Sequence, residues 1–301
     1  MLMDKGKKIK SIIPIFIFIL LIINLFGCSP KQEKPMVKKE SEEVPKPLKT
    51  IEKRVEDTIS ELEKIQEEKK KPEEKQNKQE ENQNKQEQGN EKQDKQNQQG
   101  GQQNQQGKQN QGQQQSKQQT KEDKIKGMWD SINEKVTKIH TDWNTYEITA
   151  IKDGASEEDI KGFEKTLNRL TVNVEAENEM GSLIEANNMI FYLSKFLDLY
   201  KGKPDGEIMR LKFSINKVYL YGQMNDWEKA NMALKEIDSS LGRLRKKIKL
   251  DKKDKGEMDK LELSIEDFKN VAKMKNVELL KIKRDVAIEN LNKVREKASQ
   301  S

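Results

Sequence analysis

The sequence predicts an all-α fold, a helical bundle of five or six helices in the C-terminal part of the chain. Three observations carry that reading. From about residue 122 onward, apolar residues recur every three or four positions, the period of one face of a helix. No stretch alternates with period two for long enough to make a sheet. Pro204 is the one proline after residue 120, so little in this part obstructs helical backbone.

The first stripe is Ile125, Met128, Trp129, Ile132, Val136, Ile139, Trp143 and Tyr146. Asp153-Gly154 ends it, and Ser156 with Asp159 opens a second helix as a capping box. That helix carries Ile160, Phe163, Leu167, Leu170 and Val174. A third is expected to open with Ser182 and Glu185 and to run from Leu183 to Tyr200. Its Met189-Ile190-Phe191-Tyr192-Leu193 run is apolar on nearly every side, which predicts the most buried helix of the bundle. After Lys201–Gly206, a fourth helix follows through Ile208, Leu211, Ile215, Val218 and Tyr221. Asn225 and Glu228 are expected to cap a fifth, with Trp227, Ala230, Leu234, Ile237, Leu241, Leu244 and Ile248. One long final helix is expected over roughly residues 257–298.

The N-terminal part is different. Lys5, Lys7, Lys8 and Lys10 precede an apolar run from Ile12 to Leu25, and Leu25-Phe26-Gly27-Cys28 closes it. Charged, apolar and small-residue zones in that order make a secretory signal peptide. The run is shorter than the roughly twenty residues of a spanning helix. Leu25, Phe26, Gly27 and Cys28 resemble the lipobox of bacterial lipoproteins, with Phe26 bulkier than the usual residue there. The resemblance implies a diacylglycerol on the Cys28 thiol and cleavage before it. It also implies a chain held on the extracytoplasmic face of the cell membrane. Two or more lipid chains make such an anchor stable. Cys28 is the only cysteine of the chain, so disulfide and thiol chemistry are excluded from the rest.

Between Ile65 and Ile125 there is no Ala, Val, Ile, Leu, Met, Phe, Trp, Tyr or Cys; Gln, Lys, Asn and Glu dominate. Nothing there offsets the entropy of ordering a chain, which predicts disorder. The expected organisation is a signal peptide over 1–27, a lipidated flexible segment over 28–48 and a short amphipathic helix over 49–70. A tether over 71–121 and a helical domain over 122–299 complete it. The tether is read as a spacer that lifts the domain off the membrane. Ile51, Val55, Leu62 and Ile65 fall near heptad spacing. Three readings of that helix stand open: it lies on the membrane, pairs with a copy of itself, or does nothing.

Two weaker resemblances concern the domain. Tyr221, the Asn225-Asp226-Trp227 turn, Ala230 and Leu234 are similar to one tetratricopeptide hairpin, with Val218 and Gly242 departing from that pattern. Trp143, Leu167-Asn168-Arg169-Leu170-Thr171, Ala186-Asn187 and the same turn are similar to helical domains of uncharacterised clostridial lipoproteins. That family transfers no activity.

With His140 as the only histidine and Cys28 as the only thiol, one chain cannot build an imidazole–thiolate metal site. There is no phosphate-binding glycine loop and no serine elbow. The expectation is therefore no cofactor, no metal and no catalysis, but a lipid-anchored binding or interaction module. The alternative is an envelope hydrolase using paired carboxylates in a helical groove. Residues 141–190 sum to about −7 and residues 241–301 to about +7. Either acidic and basic helices pack side by side, or Arg243, Arg245, Lys246, Lys247 and Lys249 form a face for an anionic ligand. The partners expected are the membrane, through Cys28, and an envelope protein or anionic wall polymer, with no nucleic acid.

Overall fold

The computed structural model describes residues 43–72 and 120–300. Leu25, Phe26, Gly27, Cys28 and nearly all of the expected tether lie outside the described residues. Eight α-helices and, among the described residues, no strand make up the fold. They are α1 (Lys46–Lys70), α2 (Lys121–Lys152), α3 (Glu157–Glu175), α4 (Glu179–Leu197), α5 (Asp205–Gln223), α6 (Trp227–Lys247), α7 (Lys255–Met274) and α8 (Val277–Gln300). The all-α bundle expected from the periodicity is what the chain forms, with two additions to the six helices expected in it: the short helix expected over 49–70 joins the bundle, and the expected final helix is two.

One addition is α1. Pro47 sits in its first turn, where a missing N–H costs nothing. Leu48, Ile51, Val55, Leu62 and Ile65 are completely buried against α2 and α4, each contributing roughly 1.5–3 kcal/mol of burial. None of the three roles left open for this segment describes it, because α1 is an internal element of the bundle. Its far end meets the start of α2: Lys121 Nζ donates to the carbonyls of Lys69 (2.9 Å) and Lys71 (2.7 Å). Residues 73–119 therefore leave and re-enter the bundle at one place. With α1 in place they do not lie between the membrane-proximal chain and the fold, so in this arrangement they are not the spacer expected.

The other addition is a break in the expected final helix. Lys275 is left-handed at φ 56°, and Asn276 accepts a hydrogen bond from the Leu279 N–H at 2.9 Å. The chain reverses there, so that α7 and α8 pack on each other. Folding back buries Leu261, Ile265 and Phe268 with Leu280, Ala287 and Leu291, which a single straight rod would leave exposed on one side.

Helix starts follow local chemistry. Thr120 and Asp123 form a reciprocal capping box for α2, and Ser156 accepts from the Asp159 N–H as expected. Two expected caps shift. α4 starts at Asn178, which accepts from the Gly181 N–H at 3.1 Å, and Ser182 is buried inside the helix. α6 is capped by Asp226, accepting from the Lys229 N–H at 3.1 Å, while Asn225 takes the left-handed turn at φ 58°.

Two apolar cores result. One joins α1–α4 and takes Met209 and Leu220 from α5; the other joins α5–α8. α5 thus belongs to both, packing on α4, α6 and α8. It is the most enclosed helix, the place the sequence reading gave to α4. Its buried Glu207 and Lys212 disguise it, because each is neutralised by a partner on another helix.

Candidate functional site

The basic residues singled out, four on α6 and Lys249 just beyond its end, do not form one face. Arg243 Nε donates to Glu207 at 3.0 Å, and Lys247 reaches Asp198 (3.3 Å) and Glu207 (3.4 Å). Arg245 points the other way and pairs with Glu262 on α7. For Lys246 and Lys249 no ion pair is formed among the described residues. Three of the five cations thus stitch α6 to its neighbours, and their partners Asp198, Glu207 and Glu262 all lie outside the acidic 141–190 stretch.

Glu207 is the centre of that stitching. Only 2% exposed, its carboxylate meets Arg210 at 2.9 Å as well as Arg243, and Arg210 also holds Asp198 at 2.7 Å. Burial alone would raise the Glu207 carboxyl. The hydrogen bonds from Arg210 and Arg243 override it and hold the group down at about 2. Removing one member would strand a buried charge, which costs far more than the intact pair contributes.

Beside this network, α4, α5 and α6 leave a groove of about 350 Å³. Its floor is Phe191 from α4 and Phe213 from α5, half-buried, with ring centroids 5.4 Å apart. Lys195 Nζ lies 5.3 Å from the Phe191 centroid and Lys217 Nζ 5.3 Å from that of Phe213, within cation–π range. The α6 wall brings Lys235, Glu236, Ser239, Ser240 and Arg243. Glu236 pairs with Lys217 at 2.9 Å and Arg243 with Glu207, so Lys195 and Lys235 are the rim cations without an ion pair among the described residues, beside two rings and two hydroxyls. That combination suits a ligand with both anionic groups and a flat or apolar surface. Sequence reasoning found Arg243 but missed the rest. A signal was present: Lys195 and Lys217 each follow a phenylalanine by four residues, the spacing that puts a side chain over its neighbour on a helix.

General acid–base work needs a carboxyl raised toward neutrality. Glu207 and Glu68 are instead held at about 2, Glu207 against its burial and Glu68 by Lys124 and Lys71. His140 Nε2 meets Thr171 Oγ1 at 2.8 Å, and that hydroxyl already donates to the Leu167 carbonyl. The imidazole is thus the donor of the contact, and burial lowers its pKa. It ties α2 to α3. Among the described residues no three His, Cys, Asp or Glu side chains are placed to hold a metal ion, and no helix is long and apolar enough to cross a membrane. A second groove of about 530 Å³ separates α6 from α7. It is bridged by Arg245–Glu262 and by Lys269–Asp238 at 2.6 Å.

The hairpin resembling a tetratricopeptide repeat is α5–α6. Tyr221 and Trp227 are half-buried at its turn. Gly222 leaves the room that Trp227 and Leu280 need, since a Cβ there would lie 3.2 Å from the Trp227 ring and 2.9 Å from Leu280. Among known proteins, no family model, no curated protein and no solved structure matches this chain.

Proposed function

We propose that the protein is a lipid-anchored extracytoplasmic module that binds a partner and carries out no catalysis. The lipobox-like Leu25-Phe26-Gly27-Cys28 behind a short apolar run carries the location, with diacylglycerol on Cys28 as the anchor. The α4–α6 groove supports the binding role, as aromatic floor and cationic rim fit an anionic wall polymer or an acidic segment of an envelope protein. Glu207, the buried carboxyl beside the groove, is held low by Arg210 and Arg243 and is unsuited to the proton-donor role that the hydrolase alternative needs.

The location is tested by Cys28→Ala. Fatty-acid labelling should vanish and the precursor should accumulate uncleaved; labelling at the wild-type level would refute the anchor. The groove is tested by Lys195→Glu with Lys235→Glu, two cations without an ion pair among the described residues. Sedimentation with a phosphodiester polymer should weaken about tenfold or more at low salt, since such contacts release counterions and are salt-dependent. Unchanged sedimentation would move the binding site elsewhere.

A further inference from the structure

The most extensive polar interface of the bundle is the one made by α1. Glu52 pairs with Arg295, Glu56 with Lys212 and Glu63 with Arg284. These three carboxylates lie four and seven residues apart, which places them on one edge of the helix. Beside them runs the buried stripe from Leu48 to Ile65. The receiving groove is equally specific. Arg284 and Lys212 are each 5% exposed, and Arg284 also stacks 4.1 Å from the centroid of Tyr219. Without α1, Lys212 would lose its carboxylate and Arg284 its bidentate partner, so an empty or uncharged groove is disfavoured.

We propose that the groove floored by α2 and α4 and rimmed by the cations of α5 and α8 is a recognition site for an amphipathic helix with a carboxylate edge, and that α1 docks there as a separable ligand coupling the membrane anchor to the bundle. The covalent path from α1 to α2 runs only through residues 73–119, which begin and end at one place. Non-covalent contacts alone therefore fix α1 in its groove. The coupling rests on lipidation of Cys28; the docking does not. With α1 docked, the chain from Cys28 to Lys46 limits the bundle to about 60 Å from the anchor, and with α1 released the chain to Lys121 extends to about 300 Å. Docking thus sets how far the module reaches from the membrane.

The test uses the full chain with a protease recognition sequence replacing Gly100-Gly101. After complete cleavage of membranes carrying it, the α2–α8 fragment should remain in the membrane fraction, held through α1. Its release into the soluble fraction, while uncut protein sediments, would overturn the proposal. If uncut protein is itself soluble, the anchor has failed instead, and docking is read by gel filtration of the cut chain. Co-elution of the two fragments upholds docking, and separate elution overturns it. Glu52→Lys, Glu56→Lys and Glu63→Lys together should lose the fragment after cleavage, and retention would overturn the role of the carboxylates. The swap Glu56→Lys with Lys212→Glu preserves that pair with its sign reversed and should retain the fragment as wild type does; release would also count against the proposal.

Discussion

Glu207 shows why a residue can be invisible in sequence and central in structure. It reads as one more acidic residue in the first turn of α5, yet it is buried and joins Arg210, Arg243 and Lys247. Glu207→Gln should cost about 3 kcal/mol at neutral pH, the low end for breaking a buried pair because Arg210 keeps Asp198. The pH dependence follows from the depressed pKa. The carboxyl is held at about 2 against its ordinary 4.5, so its contribution is complete above pH 4.5 and is lost as pH falls toward 2. Urea titrations across that window should show wild type and variant converging. A difference that stays constant down to pH 2.5 would mean that another group carries the effect. Arg243 was legible as a cation but not as Glu207's partner, because a single sequence carries no signal of contacts 36 positions apart.

At the scale of elements, the apolar stripes of α2, α3, α5 and α6 stand in the sequence much as they stand in the fold. The α7–α8 break did not, because Val271, Met274 and Val277 carry the helical rhythm straight through it. The turn is made by Lys275, left-handed without being glycine, and by Asn276 as a cap. Asn followed by Glu278 was the one legible sign of a new start. Lys275→Gly should raise stability by about 1 kcal/mol by removing the left-handed penalty. Asn276→Ala should lower it by a similar amount. Thermal melts of both variants check the assignment, and shifts in the same direction would contradict it. The heptad of α1 was equally plain, but its destination was not, since amphipathicity states that a face is buried without saying against what.

The described residues form two cores sharing α5, with α1 part of the first. Composition gave the absence of order-promoting residues in 66–124 correctly, and so located the boundaries of the helical parts to within a few positions. It could not reveal that the flanking helices meet. Because Lys121 touches both Lys69 and Lys71, replacing residues 74–118 by about eight Gly and Ser residues should leave the fold intact. Loop closure then becomes cheaper, and stability should rise by about 1–2 kcal/mol. A urea midpoint that falls instead would show that the removed segment packs on the bundle. The stretches similar to clostridial lipoprotein domains include none of Lys212, Arg284 and Arg295, the ionic partners of α1 on α5 and α8.

The reach of α1 also orders events in time. Its partners Arg284 and Arg295 lie 221 and 243 residues further along the chain, whereas the contacts among α2–α8 are mostly between successive helices. Contacts near in sequence form first, and those that close long loops form late. The ribosome makes α1 first, its apolar partners on α2 and α4 next, and its ionic partners on α8 last. A chain stalled before residue 284 would therefore have the helices that cover Leu48, Ile51, Val55, Leu62 and Ile65, but would leave Glu52 and Glu63 without their arginines.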